Sequence, residues 1–120
     1  IGVLYKNGGH GVTKNLATAG SWFRKSAEAG EEVGQHNLGG CYYKGEGVTK
    51  NLTIARSWYK KAADQYDADS MRELGGMMVK GEGGSENIKE GIFQWEWAAA
   101  KGDEKAQRKL AELRNFLKEA

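Results

Sequence analysis

Between Leu52 and Ala63 the apolar positions fall at steps of three and four: Leu52, Ala55, Trp58, Tyr59, Ala62 and Ala63. That spacing puts them on one face of a helix, with charged and polar residues on the other. Upstream, Leu38, Gly39 and Tyr42 make a second apolar set at a step of four. Between the two sets lies Gly45-Glu46-Gly47, a turn signal. The stretch Leu38–Ala63 therefore predicts a helix, a glycine turn and a second helix.

This pattern is copied along the chain. Gly11, Gly47 and Gly83 are 36 apart (47−11 and 83−47), as are Asn15, Asn51 and Asn87, and Leu38, Leu74 and Leu110. The text GVTKNL at 11–16 recurs unchanged at 47–52. Tyr5 and Tyr42 differ by 37, so the turn Gly8-Gly9-His10-Gly11 carries one extra residue, which a surface turn can absorb. Self-similarity at this period predicts a stack of helical hairpins, each burying its apolar flank against the next. The expected division of the single domain 1–120 is a first, partly truncated repeat at 1–30, a second at 31–66, a degenerate third at 67–102, and a capping helix at 103–120 with a stripe of Leu110, Leu113 and Leu117. The opening residues are expected to be a truncated or frayed first helix.

Local signals agree with that division. Asn15, Asn51 and Asn87 stand where a helix N-cap is needed, and Glu90 after Asn87 resembles a capping box. Gly30 and Gly102 suit a left-handed helix end; Tyr66 takes that place in the middle repeat, where a different helix end is expected. Gly39 and Gly75 cost helix stability, which close approach of a paired helix would justify. Gly40 and Gly76 would leave bare backbone on the groove side.

Composition narrows the function. The net charge of +2 is too small for the dense basic stripe of a nucleic-acid binder. No apolar run reaches the roughly 18 residues of a membrane helix. The lone cysteine, Cys41, excludes an internal disulfide and a cysteine-based metal site.

The residues Leu38-Gly39, Tyr42, Gly45-Glu46-Gly47-Val48, Ala55, Trp58-Tyr59 and Lys61-Ala62-Ala63 resemble the Sel-one-like repeat family, relatives of the tetratricopeptide repeats. Asparagine stands where the family usually has aspartate at the cap. The third copy departs further, with Gln94 in place of Trp58, Trp97 in place of Lys61, and Gly83-Gly84 in its turn. The resemblance implies an all-α, right-handed α/α superhelical solenoid whose first helices line a concave face. It implies a non-enzymatic adaptor for proteins or peptides, with no cofactor and no metal, and either export in bacteria or a place in the secretory pathway.

Carried over by register, that face holds His36, Asn37, Tyr43, Lys44, Arg72, Glu73, Lys80, Arg108 and Lys109, with Lys6 and Val79 beside them. The excess of positive charge points to an acidic or carboxylate-bearing peptide, with Arg72 and Arg108 as bidentate donors and Tyr43 as an aromatic anchor. A plain solvated helix face would show the same lysines. The rival function is a structural spacer or self-association unit, meeting other copies through an uncapped N-terminal end. Catalysis has little support: Cys41 and His36 lie five residues apart without a third orienting group, and a buried small hydrophobe accounts for Cys41. His10 has no second ligand nearby. Gly45–Gly47 lacks the lysine and serine of a phosphate loop, so its glycines read as turn residues. Asn51-Leu52-Thr53 is a formal glycosylation sequon that the cap already explains. Trp22, Trp58 and Trp95 are expected in the core, and Trp97, at a normally wet position, is expected to pack on the C-terminal helix.

Overall fold

A computed structural model describes residues 12–119, with side chains from Gly20 onward. It contains six helices among these residues: α1 Val12–Glu28, α2 Glu32–Lys44, α3 Leu52–Asp64, α4 Ala68–Lys80, α5 Ile88–Ala100 and α6 Glu104–Glu119. No described residue is in a strand. Each helix packs chiefly on its neighbours in sequence. Extents of 48 × 25 × 24 Å and a radius of gyration of 15.2 Å describe an elongated body; a compact globule of this length would have about 13.6 Å.

The core follows the repeat. Phe23, Ala27, Leu38 and Cys41 form one buried cluster at the first junction. Ala55, Tyr59, Ala63, Met71, Leu74, Met77, Ala98 and Ala106 form a second that runs to the C-terminal helix. The buried aromatic of the second helix in each repeat is Phe23, Tyr59 or Trp95. The neighbouring series fares differently from expectation: Trp22 is 46% exposed and Trp58 half-buried, one position off the buried face. Gly39 lies under the Tyr59 ring, and a Cβ on Gly75 would stand 2.6 Å from Trp95 Cδ1 and 2.7 Å from the Gly91 carbonyl oxygen. The helix-weakening glycines are thus the points of closest crossing.

Turns and caps are set by short-range chemistry. Asn51 Oδ1 accepts from Ile54 N–H at 3.0 Å and Asn87 Oδ1 from Glu90 N–H at 3.1 Å. The Glu90 carboxylate does not close a capping box; it accepts from Gln94, while Asn87 N–H donates to the Met78 carbonyl. Asn15 is not a cap, because α1 is already helical from Val12. Identical text is a turn at 47–50, where Asn51 N–H donates to Tyr42 O and folds the chain back on α2. Gly45, Gly47, Gly81 and Gly83 hold φ near +70°, the turn role expected of them.

The helix end at Tyr66 corrects the expectation of a different geometry. Tyr66 N–H donates to Ala63 O and Asp67 N–H to Ala62 O, the same pattern as Gly30 to Ala27 with Glu31 to Ser26, and Gly102 to Ala99 with Asp103 to Ala98. Tyr66 reaches it with φ +66°, the only described non-glycine residue in the left-handed region. At the far end, Ala106 is buried and Leu110 and Leu113 are half-buried, but Leu117 is 63% exposed and does not join the expected stripe. The expected features of residues 1–11 (the first helix, Lys6, the turn with His10 and the N-terminal contact end) lie outside the described residues.

Candidate functional site

The first helices of successive repeats, α2, α4 and α6, contribute to one face. A cleft between them, about 80 Å³ in volume, is lined by Tyr43, Arg72, Glu73, Gly76, Met77, Lys80, Glu82 and Lys109. A wider groove of about 330 Å³ continues beside it, lined by Arg72, Glu73, Lys105, Arg108, Lys109 and Glu112. Gly76 has nothing within 4 Å of where a Cβ would be, which leaves its backbone bare on the cleft.

The structure separates the sequence-predicted residues into bound and available groups. Arg72, expected as an exposed donor, is 9% exposed and fully engaged. Its Nη1 donates to both Asp103 carboxylate oxygens at 2.8 and 3.0 Å and to Asp69 at 3.1 Å, and its Nη2 to Glu73 at 3.4 Å. Burial works against this charge, but the Asp103 bond and the Asp103, Glu73 and Asp69 carboxylates outweigh it and hold the guanidinium protonated. Tyr43 is half-buried, and its hydroxyl donates to both oxygens of Glu82 at 3.0 and 2.9 Å. Burial first, then the Glu82 bond, pushes its phenol upward. It is a strut that locks the third turn on the second repeat, together with Arg56 Nη1 donating to Glu82 O.

His36 is likewise half-buried, tilted against the Tyr59 ring at 5.6 Å. Its Nδ1 lies 3.0 Å from Ser70 Oγ. The Ser70 hydroxyl spends its single proton on Asp67 at 2.6 Å, so the imidazole donates to Ser70. Asn37 is half-buried; Lys44, Lys80, Arg108 and Lys109 are exposed, and Glu73 is half-buried beside Arg72. The Lys109 ammonium lies 5.5 Å from the Trp95 ring centroid.

One rule explains this sorting. His36 and Arg72 occupy the same register position, and each reaches the N-cap aspartate 31 residues on, Asp67 through Ser70 and Asp103 directly. Asp67 and Asp103 cap α4 and α6 through Ser70 N–H and Ala106 N–H. Arg108, next in the series, is exposed. Sequence reasoning missed Lys105, which joins the groove, and the aspartates that consume His36 and Arg72. The shared 31-residue offset was the signal that could have found them.

No group of three or more metal-ligating side chains occurs among the described residues, and none of their helices is long and apolar enough to cross a membrane. Cys41 is 2% exposed within the first core cluster.

Comparison with known proteins gives one family and several structures. The Sel1 repeat model matches residues 1–31, 33–67 and 68–103. A Sel1 repeat protein from Oxalobacter formigenes is 42% identical, with a TM-score of 0.79, over 88% of this chain and 43% of that one. A protective antigen present in uropathogenic Escherichia coli strains, displaying an SLR fold, is 38% identical, with a TM-score of 0.85, over 96% of this chain and 24% of that one. Cysteine rich protein B of Helicobacter pylori is 29% identical, with a TM-score of 0.64, over 79% of this chain and 66% of that one. No curated protein matches the chain. The chain thus spans less than half of the first two structures. With its three matched repeats, its stacked helical hairpins and these structural neighbours, the chain belongs to the Sel1 repeat family, an all-α solenoid family commonly used as protein-interaction scaffolds.

Proposed function

We propose that this protein is a non-enzymatic scaffold that holds an acidic peptide or protein segment against the face made by α2, α4 and α6. One observation carries the reading. Lys80, Lys105, Arg108 and Lys109 surround adjoining clefts on that face, and none of the four forms an ion pair with a carboxylate of the described residues. Glu73 and Glu112 also line the groove, but Glu73 is held by Arg72. Unpaired cations around a groove favour a carboxylate-bearing partner and make its capture salt-dependent. Arg108 takes the bidentate role, and Lys80, Lys105 and Lys109 supply the field. Arg72 and Tyr43 serve the site by fixing α4 and its turn.

Isothermal titration with peptides ending in acidic residues tests this. Arg108→Ala and Lys105→Ala are each expected to weaken binding about threefold, as rim charges do. Arg72→Ala is expected to lower stability as well. Absence of binding across acidic peptides, or binding indifferent to salt, would overturn the reading. A second reading, a spacer or self-association unit, draws on a different feature. Phe116 and Leu117 are 67% and 63% exposed, beside an open groove of Val79, Ile88, Ile92, Trp95 and Leu113. Light scattering over a concentration series separates the two readings.

A further inference from the structure

Three departures from the repeat converge on one patch of the surface away from the first-helix face. Tyr66 stands where Gly30 and Gly102 do, Phe93 where Ser21 and Ser57 do, and Trp97 where Lys25 and Lys61 do. In space they are neighbours: the Trp97 ring centroid lies 5.8 Å from Tyr66 and 6.2 Å from Phe93, with interplanar angles of 44° and 80°. The residues Tyr66, Phe93 and Trp97 stay 58%, 48% and 43% exposed. With Ala63, Asp64, Met71 and Gln94 they wall an open pocket of about 270 Å³ between α3 and α5.

Two observations say that this patch is not incidental packing. Tyr66 holds φ +66° at a helix end where its sister repeats use glycine. A side chain there costs stability that glycine would spare, and such outliers gather at functional sites. The second is electrostatic. Trp22, Trp58 and Trp95 each carry a lysine ammonium over the ring, from Lys25 at 5.2 Å, Lys61 at 4.5 Å and Lys109 at 5.5 Å. Trp97 carries none among the described residues, because it occupies the very position from which those lysines come on α1 and α3. Tyr66 is already faced by Lys101 at 5.9 Å. The pocket therefore has an aromatic face wanting a cation, and the Asp64 carboxylate on its wall, held only by an exposed, 3.4 Å pair with Lys60.

We propose that the pocket of Tyr66, Phe93, Trp97 and Asp64 binds an arginine side chain of a partner protein. A planar guanidinium stacks on indole and phenol rings and reaches a carboxylate with two parallel donors, which an ammonium cannot do. The site does not depend on the acidic-peptide reading of the opposite charge on the first-helix face.

The test is NMR titration of the ¹⁵N-labelled chain with acetyl-Gly-Arg-Gly-amide, following the Trp97 indole N–H. A saturating shift is expected at millimolar peptide, absent with the citrulline analogue, which keeps the shape and loses the charge. Trp97→Lys, restoring the sister residue and followed through the Phe93 and Gln94 backbone amides, is expected to weaken binding roughly three- to thirtyfold. Tyr66→Gly is expected to weaken binding while the thermal midpoint stays or rises, because the strained residue is gone. An unmoved Trp97 signal at about 10 mM peptide, or an equal shift with citrulline, overturns the proposal. So does equal binding of tetramethylammonium, which would make the site one for any small cation. A Tyr66→Gly chain that is less stable and binds unchanged would reduce Tyr66 to a structural role and overturn it too.

Discussion

Single side chains on this scaffold divide between holding repeats together and facing outward, and burial decides which. Tyr59 is 3% exposed, against Gly39 on one side and His36 on another. Burial first, then the charge of Glu73, pushes its phenol well above the ordinary 10.0. The folded chain thus keeps a proton that the unfolded chain releases near pH 10. Above that pH the native state binds more protons, so stability falls as pH rises, by about 1.4 kcal/mol per pH unit for one such group. Urea unfolding between pH 8 and pH 11 should show this slope, and Tyr59→Phe should flatten it. Equal slopes for parent and variant would refute the assignment. Tyr66 illustrates the opposite outcome: the backbone there wants glycine, and the residue supplied is an exposed aromatic.

At the scale of the helix, adjacent glycines have unlike purposes. Gly75 sits at the crossing of α4 and α5, where a Cβ would meet both the Trp95 ring and the Gly91 carbonyl. Backbone cannot yield there, so Gly75→Ala should cost about 2 kcal/mol or more despite alanine's better helix propensity. Gly76 has no atom within 4 Å of its missing Cβ, and Gly76→Ala should gain about 1 kcal/mol. Chemical denaturation of the two variants reads the difference directly. If both gain stability, the close crossing is not what the glycine serves. The caps behave similarly: Asn51 and Asn87 act as the pattern predicts, whereas Asn15, in the same hexapeptide as Asn51, lies inside a helix. The hexapeptide is compatible with both backbones, and contact with α2 selects between them.

For the whole molecule, the relevant unit is the junction between repeats. The two junctions after the first carry a polar strut at the edge of an apolar centre, His36–Ser70–Asp67 at one and Arg72–Asp103 at the next. The two should respond differently to loss of the aspartate. Asp67→Ala removes a cap and the acceptor of the Ser70 hydroxyl, both on a neutral or solvent-reached strut, at about 1 kcal/mol. Asp103→Ala removes a cap and the least exposed carboxylate around the Arg72 guanidinium, leaving it only Asp69 and Glu73, at roughly 2 to 3 kcal/mol. Unfolding midpoints of the two variants check the order, and a larger loss for Asp67→Ala would contradict the strut model. Because both struts consume their basic partner, the uncommitted positive charge on this face comes from Lys80, Lys105, Arg108 and Lys109.

Period, helical pairing and the identity of the hairpin turns were legible in the chain itself, because they rest on spacing, on glycine's freedom at positive φ and on capping chemistry within a few residues. So were Leu38, Leu74 and Cys41 as core, since one apolar face must be hidden whatever the neighbours are. The candidate site was legible only as a list of register positions. That His36 and Arg72 are engaged depends on an aspartate 31 residues away in the next repeat, and which tryptophan is buried depends on one step of helical phase. The first is decided between repeats and the second within a helical hairpin, and in both a fraction of a turn sets whether a side chain meets a carboxylate, a ring or water. The gathering of Tyr66 from the α3–α4 turn with Phe93 and Trp97 of α5 into one pocket was decided in the same way, by how α5 lies against that turn.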